Sequence, residues 1–243
     1  MRISFLGTSH GVCEPHRKCA CSLIETGGKK YLIDLGCDPM PDLADRGISI
    51  NDITAIFITH SHGDHLNGLV PMTNQMSWCF MDADPAIYLP EMQFVDALKG
   101  WMNALHLTLR ESIRFYGVKE GLFYDDGTLR VTAFPTGHME NAYSFLVEAE
   151  GKKVLFSGDL KGGDGPVADY ARITKGISLD AAVVEAVHFD PMLYQEPMTE
   201  NPPKKLFINH YSHYSLEKTC RLRKALSETV PTVILTDGYV TEV

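Results

Sequence analysis

The heptapeptide Thr59-His60-Ser61-His62-Gly63-Asp64-His65 sets three histidines and an aspartate within six positions, directly after the apolar run Ala55–Thr59. Solubility does not require imidazoles at this density, and neutral imidazole is the commonest metal ligand in proteins. In extended chain, side chains two residues apart share a side, so His60 and His62 can reach one metal ion. Asp64 and His65 follow where the chain turns towards a helix, and they can face a second ion nearby. Gly63 permits the tight bend between the two pairs.

Two ions held close together need further ligands, including one that bridges them. The second half of the chain offers candidates at strand ends. His138 closes Pro135-Thr136-Gly137-His138, Asp159 closes Phe156-Ser157-Gly158-Asp159, and His210 closes Leu206-Phe207-Ile208-Asn209-His210. Each is a polar residue ending an apolar strand, the place where α/β architectures build their sites. Imidazole and carboxylate without thiolate suit zinc, and manganese or iron are compatible with the same donors. His188 follows the buried run Asp180–Val187 and is either a general acid or substrate clamp steadied by Glu185, or a loop histidine packed near Phe189. His10 can reach the same cleft. His213 and Tyr214 can contact substrate or open the helix after them. His16 and His106 receive no role.

Strands and hairpins must carry these residues. Ile3–Leu6 reads as a strand running into the Gly7-Thr8-Ser9-His10-Gly11 turn. Cys21–Glu25 and Lys30–Asp34 form a hairpin pattern around Thr26-Gly27-Gly28. Ala55–Thr59 and Ala86–Leu89 are strands, and Met40–Gly47 and Gly68–Phe80 are helices. Phe94, Val95, Leu98, Trp101, Met102 and Leu105 recur at helical spacing, which predicts a core-facing stripe. The second half opens with strands near Ile113–Tyr116, Leu122–Tyr124 and Leu129–Pro135. Tyr143–Glu148 and Lys153–Phe156 form a second hairpin around Glu150-Gly151. Asp180–Val187 is continuously apolar apart from its first residue and Glu185, as a strand buried on both faces would be. Leu206–Asn209 is a strand, Leu216–Ser227 an amphipathic helix and Val233–Thr236 the last strand. Two similar α/β halves packed as one domain over residues 1–243, with polar strand-end loops facing a shared cleft, account for this order.

Composition bounds the function further. The chain has 243 residues and a net charge of −9, a balance that disfavours a broad, sequence-independent grip on nucleic acid. No stable nucleic-acid complex is expected. No apolar run approaches the roughly 20 residues of a membrane span. The N-terminus lacks the long apolar region of a signal peptide, so a cytoplasmic location is expected. Free thiols are then expected at Cys13, Cys19, Cys21, Cys37, Cys79 and Cys220. Cys13, Cys19 and Cys21 cluster without the paired spacing and fourth ligand of a structural zinc site.

With these residues in hand, the sequence resembles the metallo-β-lactamase superfamily, whose motif is His-x-His-x-Asp-His. The resemblance covers nearly the whole chain: Gly7-Thr8, Leu32-Ile33-Asp34-Leu35-Gly36, the Thr59–His65 box, His138, Ser157-Gly158-Asp159 and His210 come in the family's order. It implies a four-layer αββα sandwich with the site along one edge of two sheets. It implies His60, His62 and His138 on one metal, and Asp64, His65 and His210 on the other, with Asp159 bridging. Within the superfamily the chain is similar to the phosphodiesterase branch of tRNase Z-like proteins and the cyclic-phosphate phosphodiesterase of phosphonate breakdown. The Arg17-containing loop before Cys21-Ser22-Leu23-Ile24, the segment from Asp180 to Glu185-Ala186, and His210-Tyr211-Ser212 carry that likeness. The branch's tRNase members have a histidine directly before the glutamate, where this chain has Val184, and His188 is the residue that could take over its role. No Gly/Pro-rich insertion resembles a tRNA-clamping arm, so a small or cyclic phosphodiester, or a short nucleic acid, suits the chain better than tRNA ends. Such proteins often pair as homodimers.

The expected chemistry is that of a two-metal hydrolase, in which bridging coordination yields hydroxide near neutral pH and both ions spread transition-state charge. Asp64 serves as ligand and orienter, and His188 with Glu185 as the acid pair. A lactone, thioester or amide hydrolase with the same centre is the alternative. A non-catalytic metal-binding protein is a third, opposed by the complete ligand set. His62 stands where the flavodiiron branch has glutamate, which excludes that redox reading, and nothing directs export as for a true β-lactamase.

Overall fold

The computed structural model describes residues 1–12, 14–160 and 166–243. The first half runs β1 (Arg2–Gly7), β2 (Cys21–Thr26), β3 (Lys29–Ile33), α1 (Met40–Asp45), β4 (Ile53–Phe57), α2 (Gly63–Leu66), α3 (Leu69–Trp78), β5 (Ala86–Leu89), α4 (Phe94–Ala104) and β6 (Phe115–Gly117). The second runs β7 (Gly121–Asp125), β8 (Arg130–Pro135), β9 (Tyr143–Ala149), β10 (Lys152–Phe156), α5 (Pro166–Thr174), β11 (Ala181–Ala186), α6 (Gln195–Glu200), β12 (Leu206–Tyr211), α7 (Leu216–Ala225) and β13 (Thr232–Ile234), and β14 (Val240–Glu242) follows. These strands form two seven-stranded sheets, ordered β14-β1-β2-β3-β4-β5-β6 and β13-β12-β11-β10-β9-β8-β7.

The halves repeat one plan. In each, an antiparallel meander leads into parallel strands: β1-β2-β3 into β4, β5 and β6, and β7-β8-β9-β10 into β11, β12 and β13. Side-chain alternation sorts each strand's apolar residues between two faces. Ile24 and Tyr31 face the second sheet, where they meet Val131, Phe145 and Phe156. Leu23 and Leu32 face the other way, onto Leu43, Leu69, Met72 and Leu98 of the first half's helices. Leu155 and Val184 of the second sheet pack likewise on Tyr170, Met198 and Leu222. Three apolar layers thus separate four layers of structure in the order αββα, as the resemblance implies. Among the described residues no helix is long and apolar enough to cross a membrane.

The structure corrects three readings of the sequence. The strand near Ile113–Tyr116 does not open the second half; as β6 it pairs with β5 and closes the first sheet. The last strand is not Val233–Thr236, because β14 returns to pair with β1. Three residues with one buried position among them are too short to show a period. The α4 stripe is only half a core stripe. Leu98 and Met102 are buried, whereas Trp101 is 60% and Leu105 52% exposed. Cys21, Cys37, Cys79 and Cys220 carry free thiols. Cys13, part of the cysteine cluster, lies outside the described residues.

Asp126, in the β7–β8 turn, bridges the two sheets. Its Oδ2 accepts hydrogen bonds from Tyr31 Oη at 2.8 Å, Lys29 Nζ at 2.8 Å and Tyr124 Oη at 3.0 Å. Burial alone would raise its pKa, but the donors Lys29, Leu129, Thr128 and Tyr31 outweigh burial and hold it below the usual carboxylate range. The stabilisation is therefore complete above the unfolded carboxylate's pKa of about 3.9 and is lost as pH falls through the folded value. Replacing Asp126 by Ala strands the hydroxyl of fully buried Tyr31 and should cost about 1–3 kcal/mol at pH 7. Urea melts at pH 7 and pH 3 test this: the variant's deficit should shrink at the lower pH, and an equal deficit at both would remove the electrostatic explanation.

Candidate metal centre

The site forms at strand ends of both sheets. The turn after β4 carries His60 and His62, and α2 carries Asp64 and His65. The loops after β8, β10 and β11 carry His138, Asp159 and His188, and His210 lies within β12. Close backbone contact seats these loops. A Cβ on Gly36, just after β3, would fall 1.7 Å from the Asp64 carbonyl oxygen, so only glycine lets that chain lie against the ligand loop. Gly158, at φ +55°, turns the chain so that Asp159 enters the cleft.

A bulge places His210. The β11–β12 register passes from Val184↔Ile208 to Ala186↔Tyr211, so one residue of β11 faces two of β12. His210 takes φ +44° there, and a bulge of this kind re-aims a side chain that strict alternation would send elsewhere.

Three groups of donor atoms result, each within 4.8 Å: His60, His62, His138 and Asp159; Asp64, His65 and His210; and Asp159, His188 and His210. Asp159 spans them. Its Oδ2 lies 3.5 Å from His60 Nε2 and 3.8 Å from His138 Nε2. Its Oδ1 lies 3.4 Å from His65 Nε2 and 3.3 Å from His210 Nε2. Asp64 Oδ2 lies 3.8 Å from His65 Nε2 and 3.6 Å from His210 Nε2.

The hydrogen-bond network assigns the tautomers. His65 Nδ1 meets Asp34 Oδ2 at 2.8 Å, His210 Nδ1 the Ser9 carbonyl at 3.1 Å and His138 Nδ1 the Leu160 carbonyl at 3.3 Å. Thr59 Oγ1 gives its proton to Asp34 and can accept from His60 Nδ1 at 3.1 Å. Each ring therefore donates from Nδ1 and turns Nε2 into the cleft. His62 presents its Nδ1 instead, 3.1 Å from both His60 Nε2 and His138 Nε2. Three nitrogens at that spacing, with at most one neutral-ring proton among them, repel unless a cation sits between them. His65 Nε2 and Asp159 Oδ1 are buried without a hydrogen-bond partner. Orphaned buried donors and acceptors of this kind fit a divalent metal centre.

Charge agrees. Burial, reinforced by the charge of His65 and outweighing the pull of Asp159, keeps His60 neutral, with its lone pair free for a metal. His138 is pushed down by burial and by His188 and His62. Burial would raise Asp159, but the charges of His210 and His65 hold it well below the carboxylate range, so it stays ionised.

The comparisons with known proteins follow this geometry. Residues 1–225 match the family model described as Anti-Pycsar protein Apyc1. The chain belongs to that family. A ribonuclease Z of Rippkaea orientalis is 30% identical over 158 residues, 64% of this chain and 50% of the ribonuclease. The chain thus spans only half of that relative's length. Human tRNase Z, short form, superposes with a TM-score of 0.76 at 22% identity, covering 100% of this chain and 99% of the human one. The metallo-beta-lactamase fold protein YhfI of Bacillus subtilis superposes at 0.79 with 16% identity, covering 99% of each chain. These superpositions show that the Apyc1-family chain has the metallo-β-lactamase fold, and its sequence is similar to ribonuclease Z.

Two further residues lie beside the donor groups of this Apyc1-family chain. His188 Nδ1 lies 2.9 Å from Glu185 Oε2 and 3.7 Å from Asp159 Oδ2, and the His188 ring is 4.7 Å from that of His138. Glu185 is 1% exposed and also accepts from the amides of Leu160, Val187 and His188. Burial opposes the charged form of His188, but the Glu185 hydrogen bond and the charges of Glu185 and Asp159 outweigh it and raise its pKa. His10 turns aside: its Nε2 meets Glu14 at 3.2 Å, and it belongs to none of the three donor groups. Tyr214 packs its ring at a tilt against His213 and is 82% exposed.

Sequence reasoning left Asp34 without a role. It takes φ +58° at the end of β3, accepts from the Thr59 amide at 2.8 Å, and holds His65. An aspartate closing the apolar run Leu32-Ile33 was the available signal. Glu14 pairs locally with His10 and Arg17, but its contact with His213, 199 residues away, left no signal in the sequence.

Proposed function

We propose that residues 1–243 act as one metal-dependent phosphodiesterase on a small or cyclic phosphodiester or short nucleic acid. The observation that carries this reading is Asp159, set between two histidine-rich donor groups with one carboxylate oxygen towards each. His60, His62 and His138 would hold one divalent ion, Asp64, His65 and His210 a second, and Asp159 both. Zinc suits these donors best, and manganese or iron fits them too. The names of the relatives, ribonuclease Z and tRNase Z, support phosphodiester chemistry.

Ions held there supply the positive charge that polarises a phosphoryl oxygen and ionises water near neutrality. The chain's own residues do the rest. Asp34 and the carbonyls of Ser9 and Leu160 fix the imidazoles, so that little reorganisation accompanies charge development. Asp64, beside His65 and His210, orients the attacking water. Half-buried His188, at the open side of Asp159, protonates the departing oxygen, and Glu185 fixes its ring and favours its charged form.

Hydrolysis of bis(p-nitrophenyl) phosphate by zinc- or manganese-loaded protein tests this. Turnover should vanish in a chelated sample and in His62→Ala. A metal-replete sample without turnover would reject the phosphodiesterase reading and favour lactone or thioester substrates. Protein binding less than one ion per chain under replete conditions would favour the non-catalytic reading.

A further inference from the structure

Glu14 lies outside every donor group, yet it ties together the segments that flank the second group. The segments 8–12 and 14–18 cross that group, and Asp237 anchors their outer ends through the Thr8 amide at 2.9 Å and the Lys18 amide at 2.7 Å. Between these anchors, the Ser9 carbonyl takes His210 Nδ1. Gly11 lies beside Asp64: a Cβ there would stand 3.2 Å from Asp64 Oδ2. The 8–12 segment thus borders two of the three residues of the second group.

Glu14 pulls the crossing segment down. Its side chain is 7% exposed. Its Oε1 accepts from the His213 amide at 2.7 Å and meets His213 Nδ1 at 2.9 Å and His10 Nε2 at 3.2 Å. Its Oε2 takes Arg17 Nη1 at 2.6 Å, and the same nitrogen donates to the Tyr211 carbonyl at 2.9 Å. The Arg17 guanidinium lies 3.8 Å over the Tyr211 ring. The Glu14–Arg17 pair therefore grips Tyr211 and His213, on the chain just after His210.

We infer that Glu14 is a positioning residue that clamps the 8–12 and 14–18 segments onto Asp64 and His210 and so selectively retains the second metal ion. The inference rests on the two-ion reading above. Without Glu14, these segments keep Asp237, the Ser9–Lys18 backbone bond and the Arg17 contacts with Thr8 and the Tyr211 carbonyl, but they lose the tie to His213 and the charge that aims Arg17, so the Ser9 carbonyl and Gly11 are held less firmly against the ligands they border. The first group has no contact with Glu14 and keeps its own supports at Thr59 and Leu160.

The test is zinc content by mass spectrometry, and zinc release to a chromophoric chelator, for the wild-type chain, Glu14→Ala and the isosteric Glu14→Gln. Wild-type should hold two equivalents. Glu14→Ala should hold one tightly and release the other about 10- to 100-fold more readily, the scale for residues that orient metal ligands. Glu14→Gln keeps an acceptor for His213 but loses the charge facing Arg17, and should fall between the two. Should Glu14→Ala fail to fold, Glu14→Gln alone decides. Two equivalents released at the wild-type rate from the folded variants would overturn the clamp while leaving the two-ion centre standing. Equal loss from both sites would overturn its selectivity. A wild-type chain holding a single ion would overturn the two-ion reading, and the clamp with it.

Discussion

Replacing Asp159 by Asn should reduce the bound metal from two equivalents to one or fewer and lower phosphodiesterase turnover by about a thousandfold or more, the upper scale for removing one preorganised electrostatic group. The isostere preserves volume, so the change isolates charge. Asp159 is 2% exposed and faces His60, His138, His65 and His210 at 3.3–3.8 Å. A neutral amide there leaves four converging imidazoles without their shared anion, and one end of the amide turns N–H donors towards a cation. Metal analysis of the purified variant checks the prediction independently of activity. Unchanged stoichiometry would remove Asp159 from the bridging position.

Replacing His188 by Ala should separate substrates by leaving group. A phosphodiester with an alkoxide leaving group needs a proton as the P–O bond breaks, and should lose about 10²- to 10⁴-fold in turnover, the usual worth of general acid catalysis. A p-nitrophenyl ester departs as a stable anion and should lose much less. Metal content should stay at the wild-type value, since each donor group of the proposed two-ion centre remains complete without His188. Equal losses for both substrates would assign His188 to substrate binding or packing instead. Replacing Glu185 by Gln should move the same ratio in the same direction but less far, because Glu185 acts through the His188 ring.

Much of the site was legible because metal ligation demands particular side chains at strand ends. The Thr59–His65 box, His138, Asp159 and His210 stand out as polar residues closing apolar runs, and the structure brings all of them within one cleft. The 188/185 pair was legible for a local reason: three residues of chain let the carboxylate reach back to the ring. Hairpins read well because their signals are contained in the turn and its flanking alternation. β14 and the sheet membership of β6 did not, because strand partnership is a long-range choice that a three-residue segment does not encode.

By itself, then, the sequence determined the types of the candidate ligands, the order in which they arrive and the two-half plan. Those depend on local periodicity and on the intrinsic chemistry of imidazole and carboxylate. Only the tertiary structure decided which nitrogen of each imidazole faces the cleft, since Asp34, Ser9 and Leu160 reach their rings across 31, 201 and 22 residues. It also decided that the bulge in β12 turns His210 inward and that Glu14 grips the chain beyond it. Bulges and tautomers are set by neighbours brought together through packing, and a linear pattern holds no record of distance in space.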